Sequence, residues 1–419
     1  MRCFSNSSFR AKVKIVVAVA ILWMNAYQTA EAFTCPPGFI SFGTSLSDTG
    51  NVAFAFPGNS RSENSPYGET FFGFNAFRFS DGRLVVDFLD LAFGYPLLSA
   101  YMETVAPDFR RGVNFAVSGA TALPEAPQVP FFLGFQVLQF MRFKRSTQVA
   151  EQATGVPYQI KTYLPDDSVF ADGLYILFSF GRNDLTFAYT LQGIDPATAI
   201  ATLVPTIVLF IVDGIQTLYG DGARNFLVFN VPPQGCSPQY LTIFGSLNQA
   251  DYDEYGCLTA YNQVIQVFNS QLKTAIDVLR SSLVGSTILY FDYYQANIAV
   301  LQDPKSYGFE ADTILEACCG VGGNYNYNPV VVCGTTGSFN NVTVSVGSCS
   351  NPNGYINWDG VHFTDAFNGV IAKLLLSGQF LDPPINLQTS CNLDFSKFTG
   401  VTFDQAYPGS YIIVPPISG

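Results

Sequence analysis

Five short runs of almost unbroken apolar residues punctuate the chain: FISF (39–42), GVNFAV (112–117), LYILFSF (174–180), NFLVFNV (225–231) and STILYFD (286–292). They lack the in-out alternation of a half-exposed strand, so each predicts a strand covered on both faces, as in a parallel sheet. Between them apolar residues recur at helical spacing. The clearest cases are LVPTIVLFIVDGIQTLYGDG (203–222), with Gly-Asp-Gly as its stop, and TAYNQVIQVFNSQLKTAIDVLRSSL (259–283). Strand-helix alternation of this kind predicts the α/β class, a three-layer α/β/α sandwich around a central parallel sheet. Ligands bind such sheets beyond the C-terminal ends of the strands. Ser45, Gly119 and Asn183 each follow a predicted strand closely.

The start of the chain reads differently. Arg10, Lys12 and Lys14 precede the apolar run IVVAVAILWM (15–24), and Ala30-Glu31-Ala32 gives a small-x-small cleavage pattern. That is the signature of a secretory leader over residues 1–32. Its apolar run falls short of the roughly 20 residues a membrane span needs. The segment 203–214 comes nearest to a later span, but Asp213 interrupts it, so a buried helix is expected. No lipid-anchor signal closes the chain. A secreted, extracellular protein follows, with residues 33–419 as a single domain, since no linker, charge block or repeat divides them. Cys3 lies in the leader. The other cysteines (Cys35, Cys236, Cys257, Cys318, Cys319, Cys333, Cys349 and Cys391) are even in number, which in an exported chain predicts disulfides of open pairing. Zinc is disfavoured by the lack of a spare histidine and of paired CxxC motifs. Asn341-Val342-Thr343 is an N-glycosylation sequon.

Charge narrows the partners. The chain carries a net −12, and losing Arg2, Arg10, Lys12 and Lys14 with Glu31 would make it more negative still. Such a surface repels phosphate backbones and anionic lipid, which argues against nucleic-acid partners. Hydrophobic residues make up 48% of the chain and charged ones only 12%, enough apolar material for a large core.

The chemistry centres on one residue. The sequence has a single histidine, His362, in WDGVHFTDAFNG, three residues after Asp359. A serine nucleophile needs a base, and imidazole is the side chain that titrates nearest neutrality. A serine hydrolase working through imidazole therefore has only His362 to use. Ser45, in GTSLSDTGN, is the matching serine. Read alone, Ser45 would be a turn or helix-cap serine and His362 a structural histidine; Asp359 and the upstream motifs favour the catalytic reading.

FGTSLSDTGN, RGVNFAVSGAT, FGRND and WDGVH resemble, in order, the four blocks of the GDSL (SGNH) esterase/lipase family. PYGETFF, NVPPQGCSPQYL, DYDEYGCLTAYN and ACCGVGGNYNYN are similar to its plant secreted branch, so the resemblance runs from Phe39 to about Ala372. It implies the SGNH hydrolase fold with a flavodoxin-like sheet, and no metal or cofactor. It implies Ser45 as nucleophile, His362 as general base and acid, and Asp359 as the group orienting the imidazole. Backbone N–H groups of Ser45 and Gly119 and the amide of Asn183 would form the oxyanion hole. Fixed donors of this kind stabilise a tetrahedral oxyanion, and glycine at 119 permits close approach. No GxSxG elbow surrounds Ser45. Asp48 and Asn51 are expected to brace the first turn, and Asp184 to cap a helix.

Three departures stand out. Thr44 replaces the family's aspartate before the nucleophile, where a side chain is expected to brace the turn. Arg182 stands before Asn183 in place of a small or acidic residue. Phe74-Asn75-Ala76-Phe77 replaces a more polar stretch. Two phenylalanine clusters (Phe71, Phe72, Phe74, Phe77, Phe79 and Phe131, Phe132, Phe135, Phe140, Phe143) lie beside the expected site; the second reads as a lid or acyl groove, or equally as core. The expected activity is a secreted serine esterase acting through an acyl-enzyme on a small-molecule or lipid-like ester, with short-chain, aromatic or glycoside esters favoured. An acyltransferase on the same residues and a non-catalytic binding protein are the rival readings. The sequence does not fix the oligomeric state.

Overall fold

The computed structural model describes residues 33–124, 129–153 and 161–398. The expected leader lies outside the described residues. Five parallel strands, β1 (Phe39–Gly43), β2 (Gly112–Asn114), β3 (Leu174–Phe178), β4 (Asn225–Phe229) and β5 (Thr287–Phe291), form a sheet in the order β2-β1-β3-β4-β5. This is the flavodoxin-like order. Its connections reverse direction between β1 and β3, so a crevice opens beyond the C-terminal ends of those two strands. Pairing beside β1 continues past Asn114, because Phe115 N–H donates to Ser41 O and Val117 N–H to Gly43 O.

Helices α1 (Asn51–Ala55), α2 (Val85–Phe93), α3 (Leu133–Gln152), α4 (Arg182–Gln192), α5 (Val204–Gly220), α6 (Thr259–Ser282), α7 (Tyr293–Gln302) and α8 (Asp365–Leu376) supply the outer layers. Helices α3, α5 and α6 pack together on one side, and α2, α7 and α8 on the other. Successive strand residues point to opposite faces. Ile40, Phe42, Tyr175, Leu177, Phe226 and Val228 therefore share a core with Val137, Phe140, Ile211, Ile215, Phe268 and Leu272 of the first layer. Phe178 and Phe229 face the other way and meet Tyr293 of α7.

Three expectations change. The 203–222 segment is helical from Pro196 to Gly220, with a π-helical stretch at Ala199–Leu203. By length and composition this helix is apolar enough to cross a membrane. It is not wholly buried: Val204, Ile207, Ile211, Ile215 and Leu218 enter the core, while Leu209 and Phe210 are exposed. Second, of the two readings of the later phenylalanine cluster, core packing holds for Phe140 and Phe143. Phe140 is 0% exposed and packs on Phe42, Phe115 and Tyr175. Only Phe131, Phe132 and Phe135 of that cluster reach the surface. Third, the sheet gains a short antiparallel edge, described below.

A hairpin of β6 (Thr336–Phe339) and β7 (Val342–Ser345) turns on Asn340 and Asn341, both at positive φ. That is the geometry of a two-residue type I′ loop, which asparagine tolerates. The sequon asparagine Asn341 is thus exposed at a hairpin tip. The edge strand β8 (Leu381–Asp382) pairs antiparallel with β5. Disulfides join Cys236 to Cys257, Cys318 to Cys349 and Cys319 to Cys333, and Cys35 and Cys391 are disulfide-bonded as well. Bridges of this number fit an oxidising compartment.

Candidate active site

Ser45 lies in the turn that leaves β1. The strand end before it is held by Gln136 of α3, whose amide accepts from Gly43 N–H (3.0 Å) and donates to Gly43 O (2.9 Å) and Phe131 O (3.0 Å). The turn itself closes through Ser47 N–H to Thr44 O. The Thr44 hydroxyl is buried and bonded to no described group, so this side chain does not brace the turn by hydrogen bonding. Asp48 does. One carboxylate oxygen accepts Gly50 and Asn51 N–H (2.8 and 2.6 Å), and the other accepts Val52 N–H (3.2 Å) and Ser118 N–H (2.7 Å). Burial pushes Asp48 up to about 6, against the pull of those four N–H groups. Asn51 completes the brace, donating to Asn114 O and Ala116 O and accepting from Met102 N–H.

The Asp48 contact to Ser118 ties the Ser45 turn to the loop of Gly119. Gly119 has φ +81°, and a Cβ there would lie 2.9 Å from the Val129 side chain, so the position needs glycine. Asn183, near the start of α4, donates one amide hydrogen to Ala120 O at 2.8 Å. Asp184 accepts the N–H groups of Ala122 (3.0 Å) and Leu123 (2.9 Å). The expected helix cap is therefore a strut between the third block and the second. Burial raises this carboxyl to about 6.

The last block is the most tightly built. Asp359 Oδ1 accepts the backbone N–H of Val361 (2.9 Å) and His362 (2.8 Å), while Oδ2 lies 2.7 Å from His362 Nδ1. Three residues of spacing let one carboxylate bind both the backbone and the ring. Burial alone would raise the Asp359 carboxyl. The His362 imidazole outweighs it with the help of Arg61 and Tyr67, and the group ends well below the usual carboxylate range. An ionised Asp359 only accepts, so the proton of the pair sits on Nδ1 and leaves Nε2 as the free acceptor. Burial lowers the imidazole's basicity, and Asp359 opposes that only in part. The loop hangs on the disulfide hub: Cys318 N–H donates to Asn357 O, Cys319 N–H to Trp358 O, and Trp358 N–H to His362 O.

Sequence reasoning missed two groups here. Tyr67 donates its buried hydroxyl to Asp359 Oδ2 at 2.7 Å. Arg182, read as a substrate-altering departure, is 4% exposed and donates from Nη2 to Val361 O at 2.8 Å. Direct contacts thus join block one to two, two to three, three to four, and Asp359 to His362. Ser45 is not hydrogen-bonded to His362 in this arrangement, and such contacts often tighten only with substrate. Among the described residues no group of His, Cys, Asp and Glu could hold a metal.

Residues 39–375 match the model of the GDSL-like lipase/acylhydrolase family. The chain is 40% identical to the GDSL esterase/lipase ENOD8 of Medicago truncatula, over 85% of this chain and 90% of that protein. It is 35% identical to an esterase of Hevea brasiliensis, over 86% and 90%. It is 36% identical to a protein of Arabidopsis thaliana named alpha-L-fucosidase 3, over 82% and 90%. A family match spanning all five parallel strands, on a chain whose four blocks are laced together in space, leads to one conclusion: this chain belongs to the GDSL lipase/acylhydrolase family and is a carboxylic ester hydrolase.

Proposed function

We propose that the chain is a secreted serine esterase that works through an acyl-enzyme, with residues 1–32 removed as a leader and 33–419 as one catalytic domain. Ser45 Oγ attacks the ester carbonyl while His362 Nε2 takes its proton. Asp359 holds the ring tautomer and stabilises the imidazolium that forms. The oxyanion is met by the N–H groups of Ser45 and Gly119 and by Asn183. His362 returns the proton to the leaving alcohol, and water then repeats the sequence on the acyl-Ser45.

The observation that carries this reading is the His362–Asp359 pair, with Nδ1 committed to the carboxylate at 2.7 Å. Asn183 adds to it: one amide hydrogen is spent on Ala120 O, which fixes the plane of the amide, and the second remains to donate. Phe131 packs on Phe56 and on Phe135, and Val129 in the same segment lies against Gly119. This apolar wall favours short acyl or aromatic esters. The exposed Asn341 suits glycosylation of an exported chain.

The test is hydrolysis of p-nitrophenyl acetate by the purified protein and by Ser45→Ala, Asp359→Asn and Asn183→Ala. Removing an oxyanion donor typically lowers kcat by roughly 10²–10³. Activity surviving Ser45→Ala unchanged would refute the assignment. Product analysis with glycerol present separates hydrolysis from acyl transfer.

A further inference from the structure

Tyr67 and Arg182 reach the last block from separate parts of the chain, and neither belongs to the four motifs' expected machinery. Tyr67 Oη donates to Oδ2 of Asp359, the same oxygen that His362 Nδ1 engages, each at 2.7 Å. The phenol is 1% exposed and wedged edge-on against Trp358 and Phe79. Phe79 in turn lies 4.8 Å from the imidazole, centroid to centroid. The hydroxyl is thus fixed where it takes electron density from the oxygen facing His362.

Arg182 acts on the other flank of the same loop. Its Nη2 binds Val361 O, the carbonyl directly before His362. Its own carbonyl is anchored by Gln234 Nε2 (3.1 Å) and Thr186 Oγ1 (3.0 Å). The other two buried arginines each carry a carboxylate, Arg78 with Asp87 and Arg83 with Asp365. Among the described residues no carboxylate forms an ion pair with Arg182. A buried positive charge with no direct ion-pair partner therefore stands beside the histidine loop, where it disfavours a second positive charge on the imidazole.

We propose that Tyr67 and Arg182 are positioning residues for His362, which fix the Asp359–His362 loop and bias its imidazole toward the neutral form. The proposal rests on the reading of His362 as general base. Tyr67 acts through Asp359, by sharing Oδ2. Arg182 acts through Val361 and through its field. The other charged groups that bear on the ring are Asp359, which favours its protonation, and Arg61, which opposes it; burial and the Asp359 charge push the nearby Tyr327 phenol up. The base is then less protonated in mildly acidic surroundings than an ordinary imidazole.

The sequence offers a direct probe, because His362 is its only histidine. The protein is produced with [13Cε1]-histidine, and the single imidazole is titrated by NMR alongside kcat/KM for p-nitrophenyl acetate. Wild type is compared with Tyr67→Phe, Arg182→Gln and Arg182→Lys. Both Tyr67→Phe and Arg182→Gln should raise the NMR midpoint by about 0.5 unit or more, roughly a threefold loss of kcat/KM on the acid limb. Arg182→Lys, which keeps the charge, should return the midpoint to within about 0.2 unit of wild type. Should Arg182→Gln fail to fold, Tyr67→Phe, which keeps the buried ring, decides alone. Midpoints unmoved in folded variants, with only the plateau rate reduced, would overturn the proposal. NMR midpoints that move while the kinetic limb does not follow would uphold the positioning role and refute His362 as the base.

Discussion

The carboxylate of Asp48 binds the backbone N–H of Ser118 at 2.7 Å, and so joins the turn that presents Ser45 to the loop that presents Gly119. Two of the expected oxyanion donors are spaced by this one contact. An aspartate suits the position because its two oxygens accept four N–H groups from two segments. An asparagine has a single acceptor atom, and its NH2 would face donors.

Asp48→Asn should therefore lower both stability and rate. Losing hydrogen bonds to a charged acceptor costs about 1.5–3 kcal/mol, readable as a drop in urea midpoint with an unchanged m-value. The displaced donors should cut kcat at least tenfold, about 1.4 kcal/mol of barrier, with KM little changed. A stable variant with full kcat would show that the strut does not position the oxyanion hole.

Thr44 gives the opposite expectation. Its hydroxyl is buried with no partner among the described residues, so removing it eliminates an unpaired buried polar group. Thr44→Val should leave stability within about 1 kcal/mol of wild type or raise it, and leave kcat/KM within about twofold. A large loss in thermal melting or in rate would show that the hydroxyl has a structural role in the turn.

Phe140 and Phe135, on one helix, should respond differently to truncation. Phe140→Ala empties a fully buried site and should cost about 3–5 kcal/mol, with no change in preference among p-nitrophenyl acetate, butyrate and octanoate. Phe135 is 38% exposed and packs on Phe131. Phe135→Ala should cost under about 1 kcal/mol and shift that preference. Identical chain-length profiles for wild type and Phe135→Ala would remove the aromatic wall from the substrate site.

The pH profile follows from burial of the imidazole. A base must be neutral, so kcat/KM rises with pH through its ionisation and then levels off. Burial lowers that ionisation from the ordinary value of 6.5. The midpoint should thus lie below 6.5. Below it, the rate falls about tenfold per pH unit. A midpoint above 7 would contradict the electrostatics described here.

Much of this was legible in the chain. The five apolar runs are the five parallel strands, because strands covered on both faces have no polar side to disguise them. The four motifs mark the candidate site, since the aspartate and the histidine are three residues apart and the others each follow a strand. Tyr67 and Gln136 were not legible: their partners lie 292 and 93 residues away, and no local pattern marks a tyrosine or glutamine for such a contact. The two-residue strand β8 is too short for any periodicity. The choice between lid and core for the second aromatic cluster was legible too. Leu133, Gln136, Val137, Phe140 and Phe143 are buried on α3, at the three- and four-residue steps that mark a helix face turned to the core. Composition drew attention to the phenylalanines, whereas their spacing already placed two of them inside.

The central claim is that Ser45 is an activated nucleophile served by His362. It is tested most directly by labelling the purified protein with a fluorophosphonate probe and locating the adduct by peptide mass spectrometry. The account predicts stoichiometric labelling confined to Ser45, absent from Ser45→Ala and strongly slowed in His362→Ala. A folded protein that resists the probe, or carries the adduct on another serine, would contradict it.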